Sequence, residues 1–180
     1  MLRVNPGPPA CLSAPRQLDD LLLYRLSRLL ATGGHAVIRL CEGSYGITRR
    51  EWRVLSLLAG QPGMLSSSEL ALRAQLDRAR TSRAITSLVA KRLVRREAGP
   101  GDRRQVRLSL TPAGQSLHDE LFPRVAAVNR DLMAVLDERE AAALQAALDR
   151  LQLRADELHQ AAATLPKADR HRGRTRRAPG

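Results

Sequence analysis

The sequence predicts a mainly α fold carrying one small β-hairpin, and three observations predict it. Between Ser66 and Arg92 two short capped helices follow one another across a tight turn. Next comes Gly99-Pro100-Gly101-Asp102-Arg103-Arg104, a turn with an arginine-bearing tip between two alternating segments, which is a hairpin signature. On both sides lie long stretches with leucines at 3–4 spacing, more apolar surface than a small lobe needs for its own core.

Composition narrows the classes. At 180 residues the chain fits one domain with loose ends. Hydrophobic residues make up 43% but aromatics only 2%, so Leu and Ala must build the core, and both favour helix. So few aromatics argue against a reader of single strands, which stacks bases on aromatic platforms. The formal net charge of +12 points to a polyanionic partner, nucleic acid before an acidic membrane. Cys11 and Cys41 are far apart and form neither a metal spacing nor a disulfide framework. There is no phosphate loop, no His/Cys metal spacing and no nucleophile motif, so neither an enzyme nor a cofactor is expected. No apolar run approaches the roughly 20 residues of a membrane span, and the Pro-rich start is no signal peptide. The expectation is a soluble cytoplasmic protein.

Taken in order, residues 1–15 hold Pro6, Pro8, Pro9 and Pro15 with little periodicity and read as a flexible arm. A domain is expected over 16–164. Its first helix, about 16–42, carries Leu18, Leu22, Leu26, Leu29 and Leu30 on one stripe, with a kink or weak point expected at Gly33-Gly34. Thr48-Arg49-Arg50-Glu51 has capping-box form and opens a helix that stops before Gly60; Met64-Leu65 is a short extended piece. Ser66 to Glu69 repeats the capping signal, Ala74-Gln75-Leu76 is the turn, and Asp77 caps the next helix, Arg78 to Arg92. Thr111-Pro112 starts a long helix, which Pro123 should bend, and Asp137 to Glu140 caps a last one. Helices at about 16–42 and 112–164 are expected to pair with a second copy, flanking a lobe at about 47–111. Residues 165–180 form a basic tail that serves either solubility or nonspecific attraction to DNA by counterion release.

The candidate nucleic-acid face follows from helical spacing. Ile85, Leu88, Val89 and Ala84 face inward, with Thr81 one turn earlier. Arg78, Arg80, Ser82, Arg83, Thr86 and Ser87 face outward, and Ser67 opens the preceding helix. Arginine pairs bidentately with guanine edges, and Ser and Thr reach bases or phosphates, so this face suits a major groove. At the hairpin tip, Asp102 would repel phosphate unless it holds Arg104 in a fixed pose; an arginine so held, beside Arg103, fits a narrow minor groove.

With those residues in place the chain resembles the MarR family of bacterial transcription regulators. Asp102-x-Arg104 followed by Leu110-Thr111 is similar to that family's wing signature. Gly46-Ile47-Thr48 and Trp52-Arg53-Val54-Leu55 fit its second helix, and the likeness covers about Leu18 to Leu158. The resemblance implies a winged helix-turn-helix core between long dimerisation helices, in a homodimer on a pseudo-palindromic double-stranded operator. It implies Arg104 in the minor groove with Asp102 orienting it. It also implies a repressor released by a small aromatic acid or phenolic, bound between the dimer helices and the DNA-binding lobe. His35, Arg39, Tyr45 and Trp52 fall in that region and are the candidate ligand residues; hydroxybenzoates and pyridine carboxylates such as hydroxynicotinates are candidate effectors. The chain departs from the family where Gln75 and Arg92 replace common glycines, and a non-Gly residue in a left-handed conformation costs about 1 kcal/mol. Two alternatives stand beside this reading: a redox sensor using Cys11 or Cys41, with Cys41 expected to be buried and structural, and a nonspecific architectural DNA-binding protein.

Overall fold

The computed structural model describes residues 12–61, 63–74, 76–99 and 102–162, with the side chains of 99 and 102–105 outside the description. The chain forms two compact units, one ending at Leu132 and one beginning at Met133. The expected Pro-rich arm lies outside the described residues up to residue 11, as does the whole of the expected basic tail, 165–180.

The first unit does not begin with one uninterrupted helix from Arg16. Asp20, 5% exposed, accepts the N–H of Arg16 at 2.8 Å and of Gln17 at 3.1 Å through one carboxylate oxygen, closing a 3-10 turn at Leu18–Asp20. A carboxylate that captures backbone donors in this way competes with helix propagation. Leu21 is extended, and α1, Leu22–Arg39, starts only after it. Nor does Gly33-Gly34 interrupt α1. Their use is close approach: a methyl on Gly34 would sit 3.0 Å from the Arg49 guanidinium, and one on Gly33 would touch Leu132. The helix widens into a π turn at Leu40–Ser44, and Gly46, at φ 62, reverses the chain in a conformation that costs glycine little.

Thr48 then caps α2, Arg49–Ala59, through the expected reciprocal bonds with Glu51. The Ser66–Glu69 box is also present, opening α3, Ser67–Ala74. Asp77 accepts the Arg80 N–H at 2.7 Å and caps α4, Arg78–Ala90. Each box satisfies N–H groups that the first helical turn leaves without partners.

The extended piece before α3 is a strand, β1, Leu65–Ser66, and it pairs with the hairpin. The hairpin strands are longer than expected: β2 is Val94–Gly99 and β3 is Asp102–Leu110, leaving Pro100-Gly101 outside the described residues. The sheet is antiparallel in the order β1-β3-β2, with Leu65 opposite Leu108 and Val94 opposite Leu110. Val94 and Leu108 are buried against Leu55, Leu70, Ile85, Leu88 and Leu121, whereas Val106, farther toward the tip, is 47% exposed.

α4 ends two residues before Arg92 because Arg92 itself closes it. Arg92, at φ 57, donates its N–H to Val89, and Leu93 donates to Leu88 at 2.9 Å, the bond pattern of a Schellman cap. The left-handed residue expected at this position is therefore present, without glycine. The adjoining Thr111 N–H reaches the Leu93 carbonyl at 3.1 Å. Its hydroxyl donates to the Arg92 carbonyl at 2.7 Å and accepts the Gly114 N–H at 3.0 Å. One threonine thus joins the end of α4 to the start of α5, Pro112–Met133, which continues through Pro123.

The second unit is α6, Glu138–Ala162, capped by Asp137 and Glu140 as expected. Leu144, Leu148, Leu151 and Leu158 on it are all exposed.

Candidate nucleic-acid interface

The outward face of α4 forms as its spacing predicts. Thr81, Ala84, Ile85 and Leu88 are buried, while Arg78, Arg80, Ser82, Arg83 and Thr86 are exposed; Ser67, at the head of α3, is exposed too. Asp77 does more than cap the helix: its second oxygen holds the Arg80 guanidinium at 3.0 Å. Arg83 is steadied by a 3.3 Å bond from Nε to the Ala79 carbonyl. Both are held at the helix surface at small entropic cost on binding.

Ser87 departs from the expected outward face. It is half-buried beside the Glu51 carboxylate of α2, whose pKa it helps to lower. Glu51 is 2% exposed, and Lys91 Nζ reaches its two oxygens at 2.9 and 3.0 Å and the Gly46 carbonyl at 2.8 Å. Burial pushes the Glu51 carboxyl up, but Ser87, the Thr48 N–H and Lys91 outweigh it and hold it below the ordinary value. The last turn of α4 is therefore bolted to the first turn of α2. Sequence reading saw Glu51 only as a capping residue and did not single out Lys91.

The wing is joined to the same lobe at its base. Arg96 on β2 donates to the Thr86 hydroxyl on α4 at 3.3 Å, and Arg107 on β3 pairs with Glu69 of α3 at 3.1 Å. Hydrogen bonds from Ser66 hold the Glu69 carboxyl below its usual range. The β3 backbone includes Asp102, Arg103 and Arg104, which puts them at the tip; their side chains, and the Asp102–Arg104 pairing, lie outside the description, as does Gln75 in the helix-turn-helix turn.

The candidate ligand residues do not converge. His35 and Arg39 are exposed on α1. Tyr45 turns to α5, donating to Glu120 at 2.9 Å, with Arg124 over its ring. Trp52, 8% exposed, stacks on His118 at 5.5 Å between ring centres, and His118 in turn meets Phe122. Trp52 alone of the four lines a cavity of about 410 Å³ between α1 and α2, whose other walls include Leu30, Val37, Arg49, Arg53, Ser56 and Leu57. Sequence reading did not single out Arg49 and Arg53 there: Arg49 is half-buried beside Gly34, where a side chain on α1 would crowd its guanidinium, and Arg53 is exposed at the rim. Cys41 is fully buried and its thiol is pushed up by burial, a poor setting for a thiolate, while Cys11 lies outside the described residues.

Comparison with known proteins agrees with this architecture. Residues 45–105, from the turn before α2 to the wing, match the model of the MarR family. A regulatory protein described for the hcr operon of Thauera aromatica is 32% identical over 106 residues, 59% of this chain. That match spans 63% of the relative's own length, just under two thirds. Among solved structures, PcaV of Streptomyces coelicolor, crystallised with its natural ligand, is 26% identical at a TM-score of 0.65. The match covers 79% of this chain and 99% of PcaV. BpsR of Bordetella bronchiseptica, whose DNA binding is regulated by 6-hydroxynicotinic acid, is 22% identical at a TM-score of 0.67, covering 77% of this chain and 98% of its own. With its helix-turn-helix, wing and flanking long helices in that order, the chain is similar in fold to the MarR-type winged helix-turn-helix regulators, and its residues 45–105 match that family's model.

Proposed function

We propose that this chain is a homodimeric, ligand-responsive transcription regulator that represses from a pseudo-palindromic operator and is released by a small aromatic acid or phenolic. The observation that carries the reading is the exposed Arg78–Arg83 face of α4, capped and steadied by Asp77 and flanked by a wing anchored to the same lobe. An α-helix with arginines near its N-terminus reads base edges in a major groove, and a basic wing beside it reaches the adjoining minor groove.

Pairing with a second copy is supported by the apolar surface on α1. Leu23, Leu29 and Leu30 are each more than half exposed, apolar surface that an isolated chain rarely leaves to water. Two lobes held by such a pairing would meet half-sites about one helical turn, roughly 34 Å, apart.

The effector reading rests on the α1–α2 cavity. Leu30, Val37, Trp52 and Leu57 offer apolar walls for a ring. Arg49 and Arg53 lie close enough that burial and then Arg49 lower the Arg53 pKa, and neither has an acid within ion-pair range among the described residues. The Ser56 hydroxyl is buried without a partner. Two guanidiniums without acidic partners among the described residues, beside apolar walls, suit a carboxylate. Arg53 also donates to the Ala74 carbonyl at the end of α3, at 2.9 Å. An anion that draws Arg53 away from Ala74 would loosen the helix-turn-helix, a direct route from ligand to DNA affinity.

A gel-shift on the DNA upstream of the protein's own gene, repeated with hydroxybenzoates and hydroxynicotinates, tests the reading. A specific shift reversed by one of these acids supports it; binding that no acid alters contradicts the effector part.

A further inference from the structure

We propose that a phosphate of the DNA backbone seats in the groove between the first turn of α2 and the flank of α4, held by Arg50 together with Arg80 and Arg83. The proposal rests on the DNA-binding reading above and adds a residue, Arg50, outside the helix-turn-helix and the wing.

The groove has a volume of about 290 Å³, and Thr48, Arg50, Arg80, Arg83 and Ser87 line it. Its charge is decided by which arginines already have partners. Glu51 lies at its floor but is buried and neutralised by Lys91. Asp77 is taken by Arg80. Arg50 and Arg83 have no acidic partner within ion-pair distance among the described residues, so the groove keeps a net positive charge. The N-terminal end of α2, an 11-residue helix, adds the positive end of its dipole on the same side.

The shape favours a phosphodiester. Arginines that line one groove from two helices can each pair with a free oxygen of one phosphate, the contact in which arginine outperforms lysine. The groove also runs along the flank of α4, and Arg83 belongs both to it and to the exposed face of that helix. When a recognition helix enters a major groove, the strand beside it passes along that flank, where the helices packed behind it meet the backbone. A contact of this kind fixes the angle of α4 but carries no base information.

The test compares the full-length wild type with Arg50→Ala and Arg50→Lys. Affinity is measured for an operator duplex selected from a random pool and for a random duplex, over about 50–200 mM salt. Arg50→Ala should weaken both duplexes by the same factor and reduce the slope of log affinity against log salt by about one. Arg50→Lys should restore the slope but not the full affinity, with the thermal midpoint unchanged in both. Unchanged affinity and slope, or a loss confined to the operator, would overturn the phosphate seat. So would stabilisation by inorganic phosphate that needs Arg50 while the DNA slope stays as in wild type. A wild type that binds neither duplex would instead fail the DNA-binding reading itself.

Discussion

Lys91 Nζ lies 2.9 Å from Glu51 Oε1 and 3.0 Å from Oε2, across 40 residues of sequence, and ties the end of α4 to the start of α2. The pair is asymmetric: Glu51 is almost fully buried while the Lys91 side chain is 36% exposed. Removing the lysine strands a buried carboxylate, which is generally more destabilising than the intact pair is stabilising. Lys91→Ala should therefore lower stability by about 3 kcal/mol, within the usual range for breaking such a pair. Because the folded carboxyl is held below its ordinary value, its contribution is complete above the unfolded pKa of about 4.3 and is lost as pH falls through the lowered folded value. Denaturation midpoints across roughly pH 2–6 should show a Glu51→Gln variant less pH-dependent than wild type. Parallel curves would contradict this.

Gly114 is the tightest point of the junction between α4 and α5. A methyl group there would lie 2.0 Å from the Leu93 carbonyl oxygen, which is backbone and itself accepts the Thr111 N–H. Gly114→Ala should cost about 1–3 kcal/mol, as overpacked sites do, despite alanine's better helix propensity. Chemical denaturation measures it, and a neutral or stabilised variant would show that the junction yields.

Arg92 invites the opposite change. Its φ of 57 belongs to glycine's range, and its backbone makes the bonds that end α4. Arg92→Gly should stabilise the fold by about 0.5–1 kcal/mol, since the cap remains and the left-handed strain goes. A loss of stability would mean that the exposed Arg92 side chain contributes more than its backbone costs.

Substituting an arginine of the α1–α2 cavity should separate ligand response from DNA binding. Arg49→Met should abolish release by an aromatic carboxylate while leaving ligand-free operator affinity within about twofold, because only the anion's partner is removed. Titration of ligand against the preformed DNA complex reads it. Unaltered release would move the effector away from Arg49.

These elements differ in how far the sequence revealed them. The helix starts at Thr48, Ser66, Asp77 and Asp137 were legible because a cap is a pattern within three residues, as was the inward face of α4. So was Thr111-Pro112 as the start of α5. The break at Leu21 was not, since it depends on Asp20 capturing two specific N–H groups rather than on composition. Gly33-Gly34 read as a weak point because propensity sees only the missing side chain, not Arg49 crossing beside it. For the site, the Arg78–Arg83 face followed from periodicity. Ser87, Lys91 and the Arg49–Arg53 pair depend instead on which faces of α1, α2 and α4 meet, a tertiary fact with no short-range signal.

Sequence-selective reading of DNA by α4 and the wing is the central claim, and competition binding tests it most directly. At near-physiological salt the wild type should prefer its operator over random duplex by at least about 10³, and Arg104→Ala should reduce that preference at A·T pairs flanking the half-sites. Equal affinity for both duplexes, unaltered by Arg104→Ala, would contradict the account.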